Sequence, residues 1–284
     1  MTSSINISFS CNNQWADKLA VTIVSTLLHA SKDNIYRFFI LDGGITEENK
    51  KKLAKIKSKI NFQIEYIPID KEIFANAPLG HHFTIETYYR LKLPTLINVD
   101  KLLYMDVDTL VKKDINELFN IDLEDYYAGA IIDESSYYKH IHRLSVKRYF
   151  NAGVLLLNLK KIREDNLEEK FFDFINNHSD LISWVDQCVL NAVFAENVKF
   201  LDRKFNFQHH GALEPIKELY NKNKKEVVIL HYVAQKKPWN FEKSIDLVFE
   251  YLYYALKTPY RWQISKNLAL AFWKKIKLLV NIYT

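Results

Sequence analysis

INISFSCNNQWADKLAVTIVSTLLHASKDNIYRFFIL, residues 5–41, holds a strand, a helix and a second strand in that order. Ile5, Ile7, Phe9 and Cys11 recur at a period of two, the mark of an extended chain. Ala16, Leu19, Ala20, Ile23, Val24, Leu27 and Leu28 then gather on one helical stripe. Residues 36–41 return to an apolar run of strand length. The rhythm continues: Thr46 caps an expected helix over 47–59, and 62–67 reads as a third strand. Strands that alternate with helices build a parallel sheet, because parallel neighbours are joined by crossovers that cover the sheet's faces. The expected class is α/β, with further strands at 128–132, 154–158 and 227–231 and helices at 167–176 and 186–194.

In such sheets ligands bind outside the carboxyl ends of the strands. The first strand ends at Cys11-Asn12-Asn13-Gln14, which lacks the Gly-x-Gly-x-x-Gly of a dinucleotide site; no P-loop occurs either. Any nucleotide is therefore held by side chains rather than by a glycine cradle. LLYMDVDTLVKK, residues 102–113, reads as a central strand that stops at two carboxylates. In extended chain, Asp106 and Asp108 point the same way and Val107 points back into the protein. Two negative charges in one small space call for a cation, and a hard divalent metal is the usual one. The bland reading is a turn with solvated carboxylates. A second strand-end set stands at ILHYVAQKKPW, residues 229–239, where an apolar strand delivers His231 and a lysine pair, Lys236 and Lys237, follows. A histidine of this kind is often structural, but the lysines suit phosphate.

The chain has 284 residues, enough for one large domain, and its 6 Gly and 6 Pro leave no evident linker. Two cysteines, Cys11 and Cys188, are too few for a disulfide framework or a cysteine-rich zinc site. The first residues show no basic and apolar leader, and no apolar run reaches the ~18 residues of a spanning helix, so a cytoplasmic protein is expected. The net charge of +5 is uneven: residues 251–284 carry six bases and no acids, leaving 33 bases against 34 acids before them. A neutral body excludes a nucleic-acid-binding face. The charge divides the chain into a body over 1–250, the candidate functional domain, and a basic aromatic tail over 251–284. As a helix the tail gathers Ile264, Leu268, Phe272, Ile276 and Leu279 on one side, with Lys266, Lys274 and Lys277 mainly on the other and Trp262 and Trp273 in between. That pattern suits an anionic membrane surface, placing the protein peripherally on the inner face of the cytoplasmic membrane. A helix packed on the body is the alternative.

Six ordered segments resemble glycosyltransferase family 8, the retaining bacterial lipopolysaccharide galactosyl- and glucosyltransferases and the glycogenins. They are FSCNNQW at 9–15, HHFTIETYYRLKLP at 81–94, LLYMDVDTLV at 102–111, YFNAGVLLLNLKKIR at 149–163, WVDQCVLN at 184–191 and HYVAQKKPW at 231–239. The likeness spans residues 5–240 and is strongest to the lipooligosaccharide α-1,4-galactosyltransferase type. The resemblance implies a GT-A fold with a mixed, mostly parallel sheet, a UDP-hexose donor (galactose or glucose), and an oligosaccharide or glycolipid acceptor. It implies that Asp106, Asp108 and His231 hold Mn²⁺, with Mg²⁺ as the other candidate, and that Lys237 faces the diphosphate. Around the donor it implies Asn12 at the uracil, flanked by Cys11 and Gln14, and Arg90, Asn151, Ala152, Asp186 and Gln187 about the sugar. His82 and Asp133 fall where the family forms its sugar and acceptor pocket, and Ala234 stands where the family usually has glycine. Gln187 is the residue expected nearest the anomeric carbon, and an amide is a poor nucleophile, which favours front-face attack over double displacement; Asp186 is the other candidate nucleophile, and Arg90 completes the catalytic set the resemblance implies. A metal-dependent nucleotidyltransferase and a non-catalytic sugar-nucleotide-binding protein are the competing readings.

Overall fold

A computed structural model describes residues 3–80, 83–134, 137–210, 214–233, 237–240 and 248–270. The opening alternation becomes β1 (Ser3–Cys11), α1 (Ala16–His29), β2 (Asn34–Asp42), α2 (Glu47–Leu53) and β3 (Phe62–Pro68). The Thr46 hydroxyl accepts from Asn49 N as the expected cap. The helix is shorter than the predicted 47–59. Ser58 Oγ takes the Ile60 N–H at 2.9 Å, a local bond that competes with helix and turns the chain, while Ile56 and Ile60 still reach the core.

The later strands are β4 (Lys101–Met105), β5 (Thr109–Val111), β6 (Ala128–Ile132), β7 (Phe150–Asn158), β8 (Val198–Phe200), β9 (Phe207–Gln208) and β10 (Ile229–His231). Among the described residues they form a seven-stranded sheet, ordered β3-β2-β1-β4-β7-β6-β8, and a three-stranded sheet, ordered β5-β10-β9. In the large sheet β7 runs antiparallel to both neighbours, and the other pairings are parallel. Strand periodicity splits the core in two. Ile7 and Phe9 of β1, Leu103 and Met105 of β4, and Val154 and Leu156 of β7 pack with α1 on one face. Leu102, Tyr104, Leu155 and Leu157 alternate with them and pack on the other face with Phe171 and Phe194. Both faces are covered, which is why the strands read as near-continuous apolar runs.

The chain between β4 and β5 leaves the large sheet and enters the small one, and Asp106, Val107 and Asp108 are that link. It is a turn, with Thr109 N donating to Asp106 O at 3.2 Å, rather than a continued strand. Val107 packs partly against the core, but it also lines the cavity described below. Helix α1 secures this turn. The Thr22 hydroxyl lies 3.0 Å from Val107 O and 2.9 Å from Thr109 O, and the Ser25 hydroxyl accepts from the buried Val111 N at 3.0 Å.

No break in packing marks residue 250. Tyr251, Leu252, Tyr254 and Ala255, on the helix Val248–Ala255, join Tyr260 and Ile264 in the same core cluster as α1. Tyr254 OH lies 3.0 Å from His29 Nε2, and Tyr260 OH donates to Asn49 Oδ1 at 3.0 Å. Residues 261–270 are helical, with Ile264 buried and Leu268 packed against the body. Phe272, Trp273, Lys274, Ile276, Lys277 and Leu279 of the expected amphipathic pattern lie outside the described residues.

Ser25→Ala leaves the Val111 N–H buried without its acceptor. It should destabilise the fold by about 1–3 kcal/mol, read as a lower urea midpoint at unchanged slope. An unaltered midpoint would show that the hydroxyl does not hold the turn.

Candidate active site

A cavity of about 530 Å³ opens at the carboxyl ends of β1 and β4, and Asp106, Asp108, His231 and Lys237 lie along its wall. The geometry follows from the second sheet. Antiparallel pairing of β5 with β10 sets His231 opposite Thr109, and Tyr232 N donates to Asp108 O at 3.0 Å, so two segments over a hundred residues apart meet at one corner. One ligating atom from each of Asp106, Asp108 and His231 lies within 4.8 Å of the others.

Each carboxylate has one oxygen occupied and one turned inward. Asp106 Oδ1 accepts from Arg90 Nη2 at 2.8 Å and from Tyr104 OH at 3.1 Å; Asp108 Oδ2 accepts from Lys237 Nζ at 2.7 Å. Their second oxygens face His231 Nε2, Asp108 Oδ1 at 3.2 Å and Asp106 Oδ2 at 3.9 Å. Asp108 Oδ1 is buried and lacks a hydrogen-bond partner among the described residues. Burial would raise the Asp108 pKa, yet the Lys237 ammonium and the His231 ring hold the carboxyl well below its usual range. A buried, ionised oxygen without a donor, beside two more potential ligand atoms, fits a divalent cation. Gly153 is necessary here: a Cβ on it would stand 2.1 Å from His231 Cε1 and 2.9 Å from Asp106 Oδ2.

Arg90 ties this corner to the rest of the cavity. Its side chain is 6% exposed, with Nε 2.9 Å from Asp186 Oδ2, Nη1 donating to Ala152 O at 2.5 Å and the guanidinium 4.1 Å above the Tyr104 ring. Thr87 Oγ1 donates to Asp186 Oδ1 at 2.5 Å. Burial lifts the Asp186 carboxyl to about 6, against the pull of Arg90. Asp186 enters the cavity behind Val185, whose φ of 39° is strained for a β-branched residue. Gln187 is held at both ends, Oε1 accepting from Ala152 N and Nε2 donating to Asp133 Oδ2, each at 2.9 Å. Asn151 Oδ1 accepts from Gly153 N at 3.0 Å and from Asn206 Nδ2 at 2.9 Å.

Of the residues expected from sequence, Cys11, Asn12, Arg90, Asp106, Asp108, Asp133, Asn151, Ala152, Asp186, Gln187, His231 and Lys237 all line this one cavity. Asn12 uses its side-chain oxygen to cap the turn after β1, accepting from Gln14 N at 3.0 Å. Cys11 is buried, and burial pushes its thiol pKa far up, so it packs rather than reacts. Gln14 is exposed and does not line the cavity. His82 and Ala234 lie outside the described residues. Lys237 is anchored on Asp108 and on Tyr232 O. The sequence reading passed over Asn206, Tyr104 and His210, whose Nε2 is buried without a hydrogen-bond partner among the described residues. No local motif distinguishes them. Gly153, inside the quoted FNAGV, was visible as a glycine amid strand residues, a sign of close approach.

The chain is 29% identical over 276 residues to general stress protein A of Bacillus subtilis, covering 92% of this chain and 96% of that protein. It is 28% identical over 255 residues to a lipopolysaccharide 1,2-glucosyltransferase of Escherichia coli, covering 84% and 74% respectively. The crystal structure of the galactosyltransferase LgtC in complex with donor and acceptor sugar analogues superposes with a TM-score of 0.78 at 28% identity, over 89% of this chain and 96% of that one. The fold is accordingly the GT-A fold, with β7 as its reversed strand. The profile of glycosyl transferase family 8 matches residues 6–243, a span that includes both carboxylates, the histidine and the lysine of the corner, and this chain belongs to that family.

Proposed function

We propose that this chain transfers a hexose, galactose or glucose, from a UDP-sugar to a hydroxyl of a glycan acceptor with retention of the α configuration, in the synthesis of lipopolysaccharide or another surface glycan. The observation that carries this reading is the convergence of Asp106 Oδ2, Asp108 Oδ1 and His231 Nε2 at the end of the cavity, with the partner oxygens already occupied. A divalent ion held there, Mn²⁺ or Mg²⁺, would supply Lewis-acid charge toward the diphosphate. Lys237 adds a cation at the same corner, and Arg90 holds Asp106 in its orientation. Some of the relatives are named as lipopolysaccharide glucosyl- and galactosyltransferases, which supports a surface-glycan acceptor.

The occupied amides and carboxylates also bear on mechanism. Asp186 Oδ1 accepts from Thr87, Oδ2 is paired in charge with Arg90 at 2.9 Å without a hydrogen bond, and the side chain is almost fully buried. The Gln187 amide is fixed at both ends and is a poor nucleophile. Neither is disposed to bond to carbon, which favours front-face attack. The acceptor oxygen forms its bond to the anomeric carbon as the bond to the phosphate oxygen breaks, and the hydroxyl proton passes to the departing phosphate. Gln187, Asn151 and Asp133 shape the wall beside the sugar.

The acceptor side of this reading includes an anionic membrane surface. Phe249, Tyr253 and Leu256 follow one helical stripe that the body leaves exposed, and Trp262 is 75% exposed. Lys257 lies over the Tyr253 ring and Arg261 over the Trp262 ring, and no acid occurs after Glu250. Exposed aromatics beside bases suit anionic headgroups, each base adding about 1 kcal/mol. Ile264 and Leu268, first expected on a membrane-facing stripe, pack against the body instead. No helix among the described residues is long and apolar enough to cross a membrane.

Asp106→Asn and Asp108→Asn should each lower transfer by about 100-fold or more while the protein remains folded, and EDTA should do the same to the unaltered protein. Undiminished turnover in metal-free buffer would refute the metal reading. Proton NMR of the product should show an α-glycoside from an α-linked donor; a β-glycoside contradicts front-face attack. The protein should float with phosphatidylglycerol vesicles and be released by salt. The combined Phe249→Ser, Tyr253→Ser and Trp262→Ser variant should stay soluble and active on a small acceptor. Equal flotation of that variant, or none by the parent, removes the membrane assignment.

A further inference from the structure

The histidine at the corner makes a second bond, away from the carboxylates, that begins a chain of fixed polarity. Gly153 N is a backbone donor and lies 3.0 Å from the Asn151 side chain, so the atom it meets is the carbonyl oxygen, Oδ1. The same oxygen meets the Asn206 side chain at 2.9 Å, and between two amides one side must donate, so Asn206 presents its NH₂ there. Its carbonyl Oδ1 is left to face His231 Nδ1 at 3.0 Å. An oxygen acceptor requires a proton on that nitrogen. A ring that carries one proton therefore keeps its lone pair on Nε2, the nitrogen turned toward Asp106 and Asp108.

We propose that Asn206 is a positioning residue for metal binding: through Asn151 it transmits the polarity of the Gly153 amide to His231, fixing the proton on Nδ1 and the lone pair on Nε2. The proposal rests on reading the Asp106, Asp108 and His231 cluster as a cation site. Asn206 touches neither carboxylate of that cluster and is 1% exposed; His231 is 4% exposed. Both sit where solvent cannot supply the missing bond. Asn206 stands immediately before β9, which runs parallel to β10, so the pairing that aligns Gln208 with His231 also sets the amide behind the ring. Gly153 acts twice: its N–H starts the chain and its missing Cβ leaves room for the imidazole. Left without an acceptor, the imidazole would divide its proton between the two nitrogens and turn in its slot, and a cation would compete with that proton for Nε2. Ligating histidines generally need such a partner on the far nitrogen.

The test uses the full chain, metal-free, with ¹⁵N-labelled histidine, the His231 signals assigned by their loss in His231→Gln. In the parent protein, raised to a pH at which the ring is neutral, its single proton should reside on Nδ1. Asn206→Leu, close in shape but without an acceptor, should show exchange between both tautomers and bind Mn²⁺ about 10- to 100-fold more weakly by calorimetry or EPR, without sugar nucleotide present. Asn206→Asp retains an oxygen toward Nδ1–H and should keep the tautomer and most of the Mn²⁺ affinity. A parent spectrum with the proton on Nε2, an Asn206→Leu variant that binds Mn²⁺ as tightly as the parent, or an Asn206→Asp variant as weak as Asn206→Leu each overturns the assignment. If Asn206→Leu fails to fold, the parent spectrum and the Asn206→Asp affinity still decide. If the parent binds no Mn²⁺, the metal reading fails, and the tautomer spectrum still reports on the relay.

Discussion

Two carboxylates in one turn repel each other, and the architecture around Asp106 and Asp108 is an answer to that repulsion. Arg90 takes one oxygen of the first and Lys237 one oxygen of the second, so neither aspartate can rotate its occupied oxygen into the corner. What remains at the centre is a pair of oxygens and an imidazole nitrogen, all acceptors. Charge balance in the resting protein comes from cations at the rim, while the centre is short of positive charge. Such a site is stable enough to fold, and its donor set fits a divalent ion. Burying ionised groups this way is costly, and the partners must be held firmly for the arrangement to persist.

That firmness comes from topology. The Asp-Val-Asp turn is where the chain passes from the large sheet to the small one, and α1 hydroxyls grip it from below. β10 enters from the far end of the chain to pair with β5, and β7, reversed in the large sheet, brings Asn151 and Gly153 against the same corner. Asp106 N donates to Gly153 O at 2.8 Å, which links the end of β4 to β7 at the point where the ligands begin. The site thus sits on a junction of two sheets, and a shift of register in any one of these pairings would separate its parts.

The fold was largely legible because its signals are local. Period-two and period-3.6 patterns in residues 5–67 reported strands and helices that the packing then used, apart from Leu28, which is exposed at the end of the α1 stripe, and the end of α2, where Ser58 diverts the backbone. The site was legible where chemistry is dense in sequence: Asp-x-Asp, a strand-end histidine, a lysine a few residues on. Its convergence was anticipated for a partly wrong reason, since a turn, rather than strand alternation, brings the two aspartates together. Asn206 carries no local mark at all. It lies between a short 3-10 turn, Arg203–Phe205, and a two-residue strand, and its meaning comes from what faces it across space. In the C-terminal segment the aromatic and apolar residues that suggest a membrane surface are the same types that pack a core, and of the expected stripe Ile264 and Leu268 do the latter.

Arg90 shows why residue-by-residue roles are hard to read from a family pattern alone. A single guanidinium bridges Asp106, which faces the cation corner, and Asp186, which faces the sugar wall, and it also holds the Ala152 carbonyl between them. Its planar fork can satisfy all three at once, and a lysine could not. The positions of the two ends of the cavity are therefore coupled through one rigid side chain stacked on Tyr104. A change in the charge of the corner, such as arrival of a cation on Asp106, alters the electrostatic demand on Arg90 and with it the balance at Asp186. Since Asp186 is held near the threshold of ionisation by burial, it is the group in the cavity most responsive to that demand. The charge of the Asp106 corner and the polarity of the wall at Asp186 are thus parts of one electrostatic unit, which gives a physical reason for these distant segments to occur together in one chain.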